Sequence, residues 1–448
     1  MNKFRQLWSN LRSSFWFIPS LIVVFSTALA VALIEADSAG SDRWLAQWPR
    51  LFGAGAEGAR GMMSTIAGSM MTVVGVTFSM ILVVLALASS QYTSRVLRNF
   101  MRSRTTQVVL GIFAGIFTYC LIVLRTIRSG DEGAFVPNLA VFFGFVLALG
   151  GVGALMFFIH HIASSIQASS IIASVAQETI AAIDRLFPEN LGRGPGEDDD
   201  DQTLRPLSER NWCAVPAKLS GYIQGVNNAA LLRLARDRKS IVRMEHGIGD
   251  FVVQNTALVS LSLEEKPDEE TVAALQETFS ISSYRTGVQD AAFGISQIVD
   301  VALKALSPGI NDTTTAVMCV DYLTAILARI APRKIPSSRR YEEGELRVIA
   351  KGPSFESLLA ESFDQIRSSA TGNVAIMLRM LGALQTIAGQ TARAERRRAL
   401  RDHVQWIVEL AERTLDSTHD RVRIDTRLAC VREALEVAPP LCLGEEKE

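Results

Sequence analysis

Long apolar runs alternate with ordinary amphipathic segments, and nearly all of the long runs lie in the first third of the chain. Crossing a bilayer as a helix takes about 20 apolar residues. Four runs reach or approach that length, at residues 15–34, 68–88, 108–124 and 139–159, and none contains Asp, Glu, Lys or Arg. The pattern predicts a transmembrane domain with four spans over residues 1–160.

The charges predict how these spans are oriented. Residues 1–160 hold 12 Lys/Arg against 6 Asp/Glu, and the remainder holds 33 against 40. The N-terminus and the segment 91–107 are basic without acidic residues, which places both on the cytoplasmic side. Four spans then return the chain to the cytoplasm. We expect a multi-pass protein of the bacterial inner membrane, its first span a retained anchor, with the N-terminus and the C-terminal domain cytoplasmic.

The remaining sequence changes character several times after the fourth run. Apolar residues spaced by three and four predict a continuous helix with a self-associating seam. A run rich in Gly and Asp then predicts a flexible acidic linker. After it, Gly-Asp turns between apolar stretches indicate strands. The predicted segments are a membrane-to-cytosol helix at 161–187, the linker at 188–210, a small β-rich module at 211–264 and a mainly helical domain at 265–448. The predicted fold class is a mainly α membrane protein. Within its last domain, the Arg-rich helix at 393–415 is predicted to have a solvated charged face.

The second apolar run has one face of small, weakly polar residues. At about 100° per residue these positions fall near one line along the helix. They include Thr65, Gly68, Thr72, Gly75, Ser79 and Ala86. Such a face permits close helix packing, or it lines a narrow pore when several copies surround an axis. Both interpretations are open, and both make the bilayer and further copies of the chain the expected partners.

A second candidate site lies in a helical hairpin of the C-terminal region. The pattern predicts a helix over 290–306, a Ser-Pro-Gly turn, and a second helix over 313–327. The polar residues of interest are Asp290, Gln297, Asp300, Asn311, Asp312 and Thr313. The exposed amides of the second helix attract anions, while Asp312 and the Thr hydroxyls suit a cation. The alternative is that Asn311, Asp312 and Thr313 only cap the helix.

Other classes of chemistry find little support in the sequence. P-loop, GxSxG, HExxH and dinucleotide motifs are absent, so we expect no catalytic residues and no cofactor. The five Cys are scattered without metal-binding spacing, and we expect no metal. The net charge of −1 argues against nucleic acid as a partner.

Several short motifs are shared with one bacterial family. They are VTFS at 76–79, SSQYTSRVL at 89–97, SGYIQ at 220–224, GDFV at 249–252, DAAFGI at 290–295 and ALSPGIND at 305–312. In these motifs the chain resembles the predicted membrane proteins called DUF2254. The resemblance covers most of residues 1–430 and implies a membrane-embedded first third with a cytosolic remainder. It implies no established activity. The chain departs from the family at Ser94 and Thr313, where the family usually has Pro.

These observations favour a homo-oligomeric inner-membrane protein, with a channel-like transmembrane ring and a cytosolic assembly that gates or senses a small ion or ligand. A membrane-anchored binding or scaffold module without permeation is the alternative. An enzyme that uses Asp290, Asp300 and Asp312 as a carboxylate set is a third and weaker one.

Overall fold

The chain forms two compact units, Met1–Ser170 and Ile171–Glu448. The structure, a computed structural model, describes the residues 16–38, 55–91, 104–128, 135–165, 167–186, 211–262, 266–287, 289–342 and 344–436. The linker predicted at 188–210 lies outside the described residues.

The first unit contains four long apolar helices. They are α1 (Phe17–Ser38), α2 (Ala56–Gln91), α3 (Arg104–Thr126) and α4 (Asn138–Ser165). α2 begins well before its apolar run. Glu57 in its first turn suits a helix N-terminus, and Arg60 Nη2 donates to Ile127 O at 2.9 Å. α2 therefore begins earlier than hydropathy alone indicates, and Arg60 connects its first turns to the segment after α3.

α3 lies at the centre of the first unit and packs against the other three helices. Its Phe113 and Tyr119 are fully buried, and the Tyr119 hydroxyl donates to Ala140 O at 2.7 Å. At the end of α1, the buried Asp37 carboxylate accepts hydrogen bonds from the amides of Leu139 and Ala140, each at 3.2 Å. Asp37 therefore caps α4, whose first amides have no partner within their own helix.

The predicted membrane-to-cytosol helix is interrupted. α4 ends at Ser165, and α5 (Ala168–Leu186) begins three residues later. Of the residues that form the predicted seam, Ala176 and Ile183 of α5 are buried within the chain. The apolar seam thus contributes to the core of the second unit, so at these positions it is not free to associate with another copy.

The second unit contains two sheets. The strands are β1 (Trp212–Pro216), β2 (Gly221–Val226), β3 (Ile241–Met244), β4 (Phe251–Val252), β5 (Ala257–Ser262), β6 (Phe279–Ser282), β7 (Arg339–Glu342) and β8 (Glu345–Ile349). One sheet has the order β1-β5-β3-β8-β7, antiparallel except for the β3–β8 pair, and the other has the antiparallel order β4-β2-β6. The sheets therefore extend past residue 264, where the sequence predicted the β-rich module to end.

Helices make up the rest of the second unit. They are α6 (Asn228–Asp237), α7 (Glu269–Glu277), α8 (Ala291–Leu306), α9 (Thr313–Ile330), α10 (Phe355–Ser369), α11 (Val374–Ala388), α12 (Ala394–Thr414) and α13 (Thr418–Glu436). The predicted hairpin is confirmed as α8 and α9, which pack against each other. α9 also packs against α11, and α11 packs against α13.

Five described helices are long and apolar enough to cross a membrane, one more than the sequence predicted. Four of them are α1 to α4, and the fifth is α9. In α9, Val320, Leu323 and Leu327 are fully buried inside the second unit. A helix that packs into a protein core needs the same apolar composition as a helix that faces lipid, so composition alone cannot distinguish the two.

The prediction of a solvated face on α12 is wrong for Arg396 and Arg397, which are both buried. The Arg396 guanidinium donates to Ile330 O, Ala331 O and Arg333 O at 3.2, 2.6 and 2.9 Å. The last carbonyls of a helix have no intrahelical partner and carry partial negative charge. Arg396 therefore caps the C-terminus of α9.

Candidate functional site

The small-residue face of α2 lies on the outside of the chain. Its six predicted residues, Thr65, Gly68, Thr72, Gly75, Ser79 and Ala86, are all exposed. A Cβ built at Gly68 or Gly75 would meet nothing within 4 Å. The residues that α2 buries, among them Ala59, Met63 and Met70, lie about 180° around the helix from this face.

Several small residues of α3 and α4 instead pack within the chain, although a Cβ at Gly150 or Gly153 of α4 would meet no described atom within 4 Å. A Cβ at Gly111 would lie 2.6 Å from Ile22 Cδ1 of α1, and one at Gly144 would lie 2.8 Å from Met63 Cε of α2. These glycines permit the close helix approach that membrane proteins use for packing. The six residues of the small face of α2, by contrast, are all exposed in the described part of the chain.

Two hydroxyls on the α2 face bond to their own helix. Thr65 Oγ1 donates to Gly61 O at 2.8 Å, and Thr72 Oγ1 donates to Gly68 O at 3.1 Å. A hydroxyl oxygen that has donated its proton can still accept hydrogen bonds. The face thus offers weak acceptors spaced along an otherwise apolar helix, without any ionisable group.

Asp290 is the most buried of the predicted hairpin residues, with a side chain 3% exposed. Its Oδ2 lies 2.9 Å from Arg285 Nε, and its Oδ1 accepts from the Phe293 amide at 3.0 Å. A Cβ at Gly249, whose φ is +92°, would overlap Asp290 Oδ2. The carboxylate is therefore held on three sides, as an ion-pair partner and as the N-cap of α8.

Asp312 and Thr313 begin α9 at the other end of the hairpin. Thr315 donates its hydroxyl and its amide to the Asp312 carboxylate, and these hydrogen bonds hold the pKa of Asp312 below its usual value. Thr313 Oγ1 accepts from Asn373 Nδ2 at 3.1 Å, and the exposed Asn311 adopts a positive φ of 50°. Asp312 is thus the N-cap of α9, and Thr313 connects this turn to the start of α11.

Gln297 and Asp300 lie between these two ends on α8. Gln297 is buried, and Asp300 is half-buried. Because α8 spans 16 residues, Asp290 and Asp312 are roughly 24 Å apart along its axis. The predicted residues therefore form two separate groups, and ligand binding by either group stays a prediction.

Part of the surface of α8 is covered by α5 and α10. A Cβ at Gly294 would overlap Thr179 Oγ1 of α5, and Ser296 Oγ donates to Glu361 Oε1 of α10 at 2.6 Å. Asp184 of α5 pairs with Arg329 and Arg333 at 3.0 and 2.7 Å, beside the end of α9. Both helices of the hairpin, α8 and α9, therefore contact α5.

Sequence reasoning did not identify Arg285, Gly249 or Asn373, which hold the predicted residues in place. Arg285 is five residues before Asp290, so its proximity was available from the chain. Gly249, although part of the motif GDFV, and Asn373 come from distant segments, so the local sequence does not show that they contact the hairpin. Across the described ranges, no three His, Cys, Asp or Glu side chains are arranged to hold a metal ion.

The helices and exposed faces above define a multi-pass membrane protein with a large additional unit. The chain belongs to the DUF2254 family, described as predicted membrane protein, which matches residues 12–386. Relatives include "Uncharacterized protein Mb1321c" of Mycobacterium bovis and "Uncharacterized protein Rv1290c" of Mycobacterium tuberculosis H37Rv. Each is 32% identical over 394 residues, which is 85% of this chain and 74% of the relative. No solved structure matches the chain.

Proposed function

We propose that copies of this protein pack about a shared axis through the small-residue face of α2 and form a homo-oligomeric, channel-like membrane assembly. The observation that carries the proposal is the contrast between helices. A Cβ at Gly111 or Gly144 would meet a neighbouring helix of the chain, whereas one at Gly68 or Gly75 would meet no described atom within 4 Å. A small face gives helices close van der Waals contact, and exposure to lipid tails would leave that capacity unused.

The proposed permeation follows from the chemistry of this face. Around a central axis, Thr65, Thr72 and Ser79 would place hydroxyl oxygens toward the axis at successive depths. Such hydroxyls and the intervening constrictions suit a narrow pore for small ions or uncharged solutes. The face contains no ionisable residue, so the proposal includes no proton relay and no ion-coupled transport.

In the proposed topology, α1 to α4 cross the bacterial inner membrane, and the N-terminus and the second unit are cytoplasmic. The basic segment 91–107 supports this orientation, and the lower hydropathy of α9 compared with α1 to α4 supports four spans. The second unit would gate the assembly or sense a ligand. We assign the protein no enzymatic reaction.

The assembly is tested by the mass of the purified protein in detergent, measured by native mass spectrometry. The wild-type protein should have the mass of two or more chains. Gly75→Leu adds bulk to the proposed interface and should yield single chains. Val76→Leu is the matched control, because Val76 is exposed beside the small face and already bears a large side chain. A single chain in the wild type would contradict the proposal.

Permeation is tested separately by potassium release from proteoliposomes. Wild type and Val76→Leu should release the ion at similar rates, and Gly75→Leu should not. An oligomer that releases no potassium and no small neutral solute would retain the assembly but refute the channel. The protein would then be a membrane-anchored module.

A further inference from the structure

A groove of about 1,020 Å³ lies in the second unit between α9, α11 and α13. Small residues form much of its floor, among them Ala325, Ala328 and Ala375. The groove is formed by one chain, so it does not depend on the proposed oligomer. Its volume matches the upper range of clefts that bind small molecules.

The lining of the groove carries an excess of positive charge. Arg379, Arg423 and Arg427 contribute three guanidiniums, and Asp321 contributes the one carboxylate. Arg379 is ion-paired with Asp321, and Arg423 Nη1 lies 3.4 Å from Asp420 at the surface. Arg427 makes no hydrogen bond or ion pair within the part of the chain that the structure describes.

The guanidinium of Arg427 lies directly on Gly382 of α11. A Cβ at this position would be 2.5 Å from Arg427 Nη2. Glycine weakens a helix interior relative to alanine, and Gly382 occupies the middle of α11. This glycine makes room for the half-buried Arg427 guanidinium.

We propose that the groove binds an organic phosphomonoester, with its phosphate on Arg427 and Arg423 and its organic part on the small-residue floor. Arg423 and Arg427 are four residues apart on α13, so they share one face of the helix. Guanidinium donors match phosphate oxygens in pairs. Arg379 is paired with Asp321 and Arg423 with Asp420, so the uncompensated charge among the described residues of the groove is that of Arg427, which suits an anionic phosphate.

Two sources could supply this chemistry, a soluble nucleoside monophosphate and the headgroup of a phosphatidate lipid. The probes are therefore AMP and dioctanoyl phosphatidate, with adenosine and dioctanoyl glycerol as their uncharged counterparts. Binding to the full-length chain in detergent is measured by isothermal titration calorimetry. At least one phosphomonoester should bind with a Kd below about 1 mM, and its uncharged counterpart should not.

The variants that test the site are Arg427→Gln and Gly382→Ala, with Arg432→Gln as the matched control. Arg427→Gln removes the charge, and Gly382→Ala displaces the guanidinium while favouring the helix. Each should weaken binding about tenfold or more, the scale of one charge-assisted hydrogen bond. Arg432 is exposed on the same helix and outside the groove, and Arg432→Gln should bind like the wild type.

The results separate the possibilities. Preference for AMP or for phosphatidate identifies the source of the phosphate, and either supports the proposal. The proposal is overturned when neither phosphomonoester binds, or when all four proteins bind equally. If Arg427→Gln fails to fold by circular dichroism, Gly382→Ala carries the test, since it leaves every charge in place. These variants could instead change the native mass of the protein while no phosphomonoester binds. The groove would then be a contact between copies of the chain, and the proposal would also be overturned.

Discussion

Arg285 and Asp290 meet in a two-point ion pair, with Nε and Oδ2 2.9 Å apart and Nη2 and Oδ1 3.1 Å apart. The pair joins the end of the smaller sheet to the start of α8, because Arg285 follows β6 and Asp290 caps the helix. The contact thus connects the two kinds of secondary structure in the second unit. It accounts for a buried aspartate without invoking a ligand.

Replacement of Asp290 by Ala should destabilise the second unit by about 2–3 kcal/mol. The change leaves Arg285 unpaired and removes the N-cap of α8, while the partial exposure of Arg285 keeps the cost below that of a fully buried pair. Thermal unfolding followed by circular dichroism measures the loss. Asp425→Ala, at an exposed position, serves as the control, and an equal change in both variants would show that the ion pair contributes little.

Gly249→Ala should cost more stability than Gly344→Ala, by about 1 kcal/mol or more. Both glycines have positive φ, at +92° and +79°, so both substitutions introduce similar backbone strain. Only at Gly249 would the new Cβ also overlap the Asp290 carboxylate, since nothing lies within 4 Å at Gly344. Chemical denaturation of the two variants separates packing from strain. Equal losses would mean that Asp290 shifts freely.

Asp312→Ala should lower stability by about 1 kcal/mol, whereas Asp312→Asn should leave it nearly unchanged. Asparagine replaces aspartate well as an N-cap, and alanine does not. The Asn variant therefore separates capping from charge-dependent binding at this turn. If Asp312→Asn loses potassium release from proteoliposomes while its thermal unfolding is unchanged, the ligand interpretation is favoured. Unchanged potassium release would favour the capping interpretation.

His403 should make the second unit less stable as the pH falls below about 6.5. Burial lowers its pKa beneath the ordinary value of 6.5, so the unfolded state binds more protons over the interval between the two values. Its ring lies near Asp364 and Trp406. Melting temperatures from pH 7.5 to 5 should fall less in His403→Gln than in wild type. The exposed His419 provides the control, and His419→Gln should retain the wild-type pH dependence.

Arg396→Gln should lower the free energy of unfolding of the second unit by about 2 kcal/mol, while Arg398→Gln should have little effect. Arg396 is buried and donates to three carbonyls at the end of α9, and glutamine is too short and too poor in donors to replace it. Arg398 is exposed on the same helix. Urea denaturation compares the two. Similar midpoints would mean that the carbonyls find other donors.

Local sequence patterns were enough to predict much of the architecture. The four apolar runs correspond to α1 to α4, the family is confirmed, and the hairpin at 290–327 has helices where the spacing predicts them. In each case the signal lies within a few turns of one helix. Hydropathy and capping are properties of neighbouring residues, so a single sequence is enough to show them.

Contacts between distant segments were beyond such patterns. The charge runs of α12 do not show that Arg396 is buried, since only packing brings its guanidinium to the end of α9. Likewise, the composition of α9 resembles that of a span, yet neighbouring helices cover it. A side chain's environment depends on which elements pack together, and the local sequence does not encode that pairing.

The small-residue face of α2 shows both sides of this division. Its existence follows from the sequence alone, because the spacing of Gly68, Thr72 and Gly75 matches the helical repeat. Its exposure was decided by tertiary structure, since Met63 and Met70 on the opposite side fill the gaps beside Gly144 and Gly151 of α4. Periodicity arises along one helix, whereas the choice of the face to be buried depends on the shape of the neighbouring helices.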